Sequence, residues 1–353
     1  MSLAEFAEQD EPTVPLAALQ AKKSECESLK RALGKKETER QSFEDQLTTI
    51  LSITEAQSKP PKWTTSKRKA QHKAIANLMV SDCHFDEVVD PSEVDGLNAY
   101  SREIAEDRLK RTFEKTVMLT REHLSGVNYE GCVCILGGDM VTGTIHEELA
   151  ETNEAYMPET VLYWSERLSS GIEMLREEFG KVHVPCVVGN HGRNTRKPRM
   201  KGRVRDNWDW LIYKLVARDF RDEKDVTFQV PDSADCRFDQ YDSTFLLTHG
   251  DQFRGGGGIA GILSPLMRGD HKKRKRHMET DRPFDYLIMG HWHSLSFFRK
   301  IIVNGSTKGY DEYAYINNLD YEPAQQAFWI TTPEHGITFT APVFVEDRKS
   351  EGW

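Results

Sequence analysis

The 353-residue chain predicts an α/β layered fold preceded by a long N-terminal helix. Three observations predict it. From residue 74 onward, short apolar runs recur, each closed by Gly, Asp or His: AIANLMVSD, CVCILGGD, VPCVVGN, TFLLTHG, YLIMGH and IIVNG. Helix-length amphipathic segments at 101–124, 159–179 and 205–220 separate several of them, the alternation expected of buried strands and covering helices. Upstream, residues 16–56 carry apolar positions at three- and four-residue steps and no strand signal.

In that first segment Leu19, Cys26, Leu29, Leu33, Phe43, Leu47 and Ile50 trace a coiled-coil seam, interrupted by Lys22, Lys36 and Arg40. Two readings stand: a 1–56 helical arm for homo-oligomerisation, or a solvated helix. Residues 57–73, QSKPPKWTTSKRKAQHK, hold a Pro-Pro pair, six bases and no acid, and read as a basic linker. Residues 74–353 form the main domain. Within it Arg254 opens a Gly-rich turn, and Lys272-Lys273-Arg274-Lys275-Arg276 is a basic run that reads either as a solvated loop tip or as a polyanion contact. Segments near 326–332 and 337–345 predict two further strands.

Composition limits the function classes. Net charge is −9, with −4 on residues 1–56 and +6 on 57–73, which leaves −11 on the main domain. A general polyanion binder over the whole surface is excluded. No run reaches the ~18 apolar residues of a spanning helix, and MSLAEFAEQDEPTV lacks the basic-then-apolar order of a secretory signal. The six cysteines form no CxxC pair, and Cys132, Cys134 and Cys186 fall in apolar runs. A reducing cytoplasm and no membrane partner are expected.

The chemistry lies where the apolar runs end. Asp82 and His84 follow the first run and Asp139 the second; Asn190 and His191 follow the third, His249 the fourth, and His291 with His293 the fifth. Loops at the carboxyl ends of strands are where α/β folds gather ligands. Asp, Asn and imidazole without thiolate suit divalent Mn, Fe, Zn or Ni. A carboxylate can bridge two such ions, and Asp139 is the natural bridge. The remaining histidines, at 72, 123, 146, 183, 271, 277 and 335, fit no such position and read as structural.

The ordered blocks D-x-H, G-D, G-N-H, H-G and G-H-x-H resemble the calcineurin-like metallophosphoesterase superfamily over about residues 76–310. That resemblance implies a four-layer double β-sandwich flanked by helices and two divalent metal ions, manganese foremost. It implies that Asp82, His84, Asp139 and His293 hold one ion and Asp139, Asn190, His249 and His291 the other. His191 would stay off the metals, facing the scissile phosphate. The family's protein phosphatases read GDxVDRG in the second block. Here Thr142 replaces the Asp that partners the catalytic His, and Gly143 replaces the phosphate-binding Arg. Arg193, after the third block, is the candidate to supply the missing cation. The blocks, with Asn304-Gly305-Ser306 and Gly309-Tyr310-Asp311, are similar to phage-encoded phosphoesterases grouped with SbcD-type DNA repair nucleases. The resulting expectation is a metal-dependent nuclease acting on DNA in a bacterial or phage-infected cell. Its candidate substrate contacts are Arg193, Arg254, Lys272, Lys273 and Arg274. A phosphatase or phosphodiesterase of nucleotides or other small esters, and an assembly protein with a relict site, are the alternatives.

Overall fold

The computed structural model describes residues 15–54, 62, 73–255 and 261–353. Two units separate, 1–56 and 57–353. In the first, helix α1 (Leu16–Thr54) leaves Leu19, Leu29, Leu33 and Phe43 exposed, and Cys26 is exposed as well. The side chains of Leu47 and Ile50 and nearly all of the basic linker 57–73 lie outside the described residues.

The second unit is α/β with two mixed sheets. The first sheet, in the order β11-β10-β1-β2-β3-β4, comprises β1 (Lys73–Val80), β2 (Asn128–Leu136), β3 (Val182–Pro185), β4 (Val226–Gln229), β10 (Gln325–Thr332) and β11 (Gly336–Phe344). The second, β5-β6-β7-β9-β8, comprises β5 (Asp235–Gln240), β6 (Ser243–Thr248), β7 (Tyr286–Met289), β8 (Ser296–Phe297) and β9 (Ile301–Val303). Strands β1 to β4 run parallel, as do β6, β7 and β9, whereas β10, β11, β5 and β8 pair antiparallel. A parallel strand covered on both faces is largely apolar, and β1 is buried from Ala74 to Val80, with Asn77 satisfied by Trp329 O and Thr331 Oγ1.

The sheets meet across one core. Ile75, Met79, Val133, Ile135 and Trp329 of the first pack against Phe238, Phe245, Leu247, Ile288 and Ile302 of the second. Outside the first sheet lie α2 (Arg102–Met118), which continues into a π-helical turn at Leu119–His123, and α4 (Met157–Phe179), with α5 (Trp208–Asp219) against α4. The α4 stripe Val161, Trp164, Leu168, Ile172, Leu175 and Phe179 explains its burial, and Gly180 ends the helix in a left-handed conformation. Short helices α3 (Glu147–Thr152), α7 (Glu312–Ile316) and α8 (Arg348–Glu351) complete the unit.

The basic run is not a loop tip. It belongs to α6 (Leu263–Glu279), which packs Leu266 beneath Leu246, Leu287 and Met289. Acids neutralise most of it: Lys273 and Arg276 pair with Asp235 at 2.6 and 2.8 Å, Arg274 pairs with Asp270 at 2.9 Å, and Lys275 lies 3.9 Å from Glu279. Asp235 sits on β5, a proximity that the linear sequence does not display, whereas Asp270 and Glu279 sit one helical turn from their partners.

Candidate metal centre

The loops after β1, β2, β3, β6 and β7 converge. Three groups each bring ligand atoms within 4.8 Å of one another: Asp82, His84 and His293; His84, Asp139 and His191; and Asp139, His249 and His291. His84 links the first two groups and Asp139 the last two. His84 Nε2 and His293 Nε2 face each other at 3.1 Å, and His293 Nε2 lies 3.6 Å from Asp82 Oδ1. His249 Nε2 is buried and lies 2.9 Å from Asp139 Oδ2, an ion-pair distance.

Backbone conformation aims these side chains. Asp82, His84, Asp139, His291 and His293 all have positive φ, between 48° and 71°. Residues with a Cβ occupy that region at a cost of order 1–3 kcal/mol, and the surrounding contacts must hold them there. Two glycines explain part of the block pattern. A Cβ on Gly189 would stand 2.0 Å from Asp139 Oδ1, and one on Gly290 would stand 2.1 Å from Asp82 Oδ2. Each carboxylate packs against a bare Cα, and the next residue but one or the next residue donates its N–H: His191 to Asp139 Oδ1 and His291 to Asp82 Oδ1, both at 2.7 Å.

Electrostatics favours a cation here. Burial pushes the Asp82 carboxyl up to about 7, with His249 opposing and Asp139 adding to the rise. Burial also opposes charge on Asp139, yet His249 and His191 prevail and hold its carboxyl well below the usual range. His249 faces the same burial, and Asp139 overrides it, raising the imidazole to about 10. His84, His291 and His293 are lowered first by burial and then by neighbouring positive groups, His291 to about 4 and His293 to about 3. They are therefore neutral at pH 7, the form in which imidazole ligates metals. Buried His84 Nδ1, Asn190 Oδ1 and His249 Nε2 have no hydrogen bond. Two buried carboxylates, the neutral imidazoles of His84, His291 and His293 and the unbonded Asn190 Oδ1 form a donor set that fits divalent cations. Cys83, between Asp82 and His84, stays out of this set, because burial drives its thiol pKa upward.

His191 is placed by its other nitrogen. Its Nδ1–H donates to Thr142 O at 3.1 Å, which leaves Nε2 for the site. Thr142 thus serves with its carbonyl where the sequence suggested a lost Asp partner. Its Oγ1 lies 3.0 Å from His84 O and 2.8 Å from Glu87 Oε2, two acceptors for its one proton. The Arg193 guanidinium donates to Asn190 O, Thr195 O and Arg196 O, bracing its own loop, and it lines a cleft together with Asn190. Lys273 and Arg274 are likewise committed to acids, whereas Arg254 and Lys272 are exposed.

Several supporting residues escaped the sequence reading. Asp209, on the first turn of α5, accepts the N–H groups of Asp139, Met140 and Gly189 at 2.9, 3.1 and 2.8 Å, tying two ligand loops together. Its burial, with Asp139 nearby, raises it to about 6. Its helix-start position was legible; its aim into the molecule was not. Asn304 donates to Ser81 Oγ, which hydrogen-bonds Asp82, and Ser306 Oγ donates to Asp82 O. Lys308 sits buried between Glu87 and Asp311 beside this group. His146, read as structural, has its ring centre 5.9 Å from that of His191.

No family model and no curated protein matches the chain. Among solved structures it is similar to vacuolar protein sorting 29 from Cryptosporidium parvum, at 12% identity and a TM-score of 0.29, covering 76% of this chain and 97% of that one. It is similar to a conserved protein of Streptococcus pneumoniae described as a predicted phosphoesterase, at 11% identity and a TM-score of 0.26, covering 78% and 98%. A third is the sulfate thiohydrolase SoxB of Thermus thermophilus, at 12% identity and a TM-score of 0.27, covering 78% of this chain and 57% of that one. The functional reading rests on the site and not on these likenesses.

Proposed function

We propose that this chain is a metal-dependent phosphoesterase that hydrolyses phosphodiester bonds and acts on nucleic acid, with DNA the expected substrate. The observation that carries the reading is the meeting of Asp82, His84, Asp139, His249, His291 and His293 from four separate loops, with His191 beside them. Asp82, His84, Asp139 and His293 would hold one divalent ion, and Asp139, Asn190, His249 and His291 a second. Two such ions lower the pKa of a water to near neutrality and neutralise phosphate oxygens.

The protein's own groups supply the remainder. The Nδ1–H bond to Thr142 O fixes the His191 tautomer, so any proton that moves does so at Nε2. Burial keeps that imidazole neutral in the free protein. A phosphate dianion or diester anion beside Nε2 favours its protonation, and the proton then passes to the leaving oxygen. The His191 N–H and the Ser81 hydroxyl orient the Asp139 and Asp82 carboxylates, and Asp209 holds the Asp139 backbone in place. Manganese is the first metal to test, with iron, zinc and nickel following.

The test loads the protein with each metal, measures metal content, and compares an aryl phosphate diester with the monoester and with DNA. Diester and DNA cleavage supports the reading. Cleavage confined to nucleotides or small monoesters replaces it with the small-ester alternative, and no hydrolysis with any metal removes it.

A further inference from the structure

Between the third ligand block and α5 runs the loop 193–206, RNTRKPRMKGRVRD, with seven bases and one acid in a main domain of charge −11. Its bases divide into two kinds. Arg193 braces the loop through its carbonyls. Arg203 forms a two-pronged pair with Asp251 at 2.7 and 2.8 Å, Arg205 pairs with Asp232 at 2.8 Å, and Arg196 pairs with Glu147 at 2.9 Å. Lys197, Arg199 and Lys201 are exposed and have no acid partner among the described residues.

Their position gives these three a use. Arg199 and Lys201 line the same cleft as Gly189, Asn190, Arg193, Arg203 and Asp251, and Lys197 immediately precedes the lining residue Pro198, so two of the unpaired cations open onto a candidate metal ligand and the third stands beside them. The anchors hold the loop to the site: Asp251 lies two residues after His249, and Asn207 at the loop's end donates to Gly189 O at 3.0 Å. A loop held at both ends presents its charges without much further ordering on binding.

We infer that Lys197, Arg199 and Lys201 are the backbone-binding track that leads a nucleic-acid strand to the metal centre. The inference rests on the phosphodiesterase reading and moves the substrate contacts from α6, whose bases are largely neutralised by acids, to this loop. Lysine and arginine on an exposed loop neutralise phosphates without reading bases, so binding is independent of sequence and falls with salt. DNA and RNA share that backbone chemistry.

The experiment compares the metal-loaded protein with the triple variant Lys197→Ala/Arg199→Ala/Lys201→Ala on DNA and RNA oligonucleotides and on an aryl phosphate diester, from 0.05 to 0.3 M salt. Three lost phosphate contacts flatten the logarithmic salt slope by about 2 on a single strand and about 3 on duplex DNA. KM for the oligonucleotide rises on the order of 10- to 100-fold at 0.15 M salt. The ratio of oligonucleotide to aryl-diester kcat/KM falls with it, and the DNA and RNA arms show which strand is carried. Exposed residues spare folding, which the melting temperature checks. An unchanged salt slope and ratio overturn the track, as does a larger loss in Lys272→Ala on α6. A protein that cleaves the aryl diester but no oligonucleotide also overturns it and leaves the phosphodiesterase reading standing. Failure on every ester removes both.

Discussion

Replacing His191 with alanine separates proton transfer from metal binding. The link from His191 to Asp139 runs through the backbone N–H, at 2.7 Å to Oδ1, and alanine retains it. Asp139 therefore keeps its orientation, and the groups Asp82/His84/His293 and Asp139/His249/His291 are untouched. What disappears is the ring: one Nδ1–H bond to Thr142 O, a net ~1 kcal/mol, and the proton carried at Nε2. A positioned general acid contributes about 10²–10⁴-fold, which is about 3–5 kcal/mol of barrier. The loss depends on the leaving group, since a nitrophenolate departs without protonation and a nucleoside alkoxide does not. His191→Ala is expected to retain the metal content of the wild type, to lose 10²–10⁴ in kcat on an oligonucleotide, and to lose less on the aryl diester. Elemental analysis with kinetics on both substrates is the assay. Loss of one metal equivalent would make His191 a ligand, and equal losses on both substrates would refute the proton role.

Further outcomes follow from the supporting contacts. Asp209→Ala removes acceptors from three backbone N–H groups and frees both ligand loops; metal affinity is expected to drop at least tenfold, measured by competition with a chelating dye, and wild-type affinity would show that the clamp is dispensable. Gly290→Ala puts a methyl group 2.1 Å from Asp82 Oδ2, so loss of the ion held by Asp82, His84 and His293 is expected at a stability cost of about 1–3 kcal/mol, read by metal content and urea unfolding. Away from the site, burial disfavours charge on Glu351, but Arg108 at 2.7 Å and Arg111 at 2.6 Å hold it at about 2 against a usual 4.5. A carboxyl lowered in the fold contributes stability above pH 4.5 that is lost as pH falls toward 2, here about 3 kcal/mol. The stability gap between wild type and Glu351→Gln should shrink between pH 5 and pH 3, and a constant gap would contradict it.

The order of polar residues behind apolar runs was readable because a buried parallel strand is mostly apolar along its length. The loop that leaves it then holds the first residues free to be polar. That rule singled out Asp82, Asp139, His249 and His291 as the polar residues that close the apolar runs. It had no hold on β5, whose Asp235-Cys236-Arg237-Phe238-Asp239-Gln240 alternates with one face wet, nor on α6, whose Lys and Arg surplus hid the apolar positions Leu263 and Leu266.

The local sequence thus determined which side chains end the strands, because hydrophobic patterning is a property of neighbours along the chain. Only the tertiary structure decided what each polar group faces. Arg193 meets carbonyls of its own loop, Lys273 meets Asp235, Asp209 meets three N–H groups, and Lys197, Arg199 and Lys201 meet no acid among the described residues. Charge and hydrogen bonding act over a few ångströms in space, and residues that close are commonly far apart in sequence.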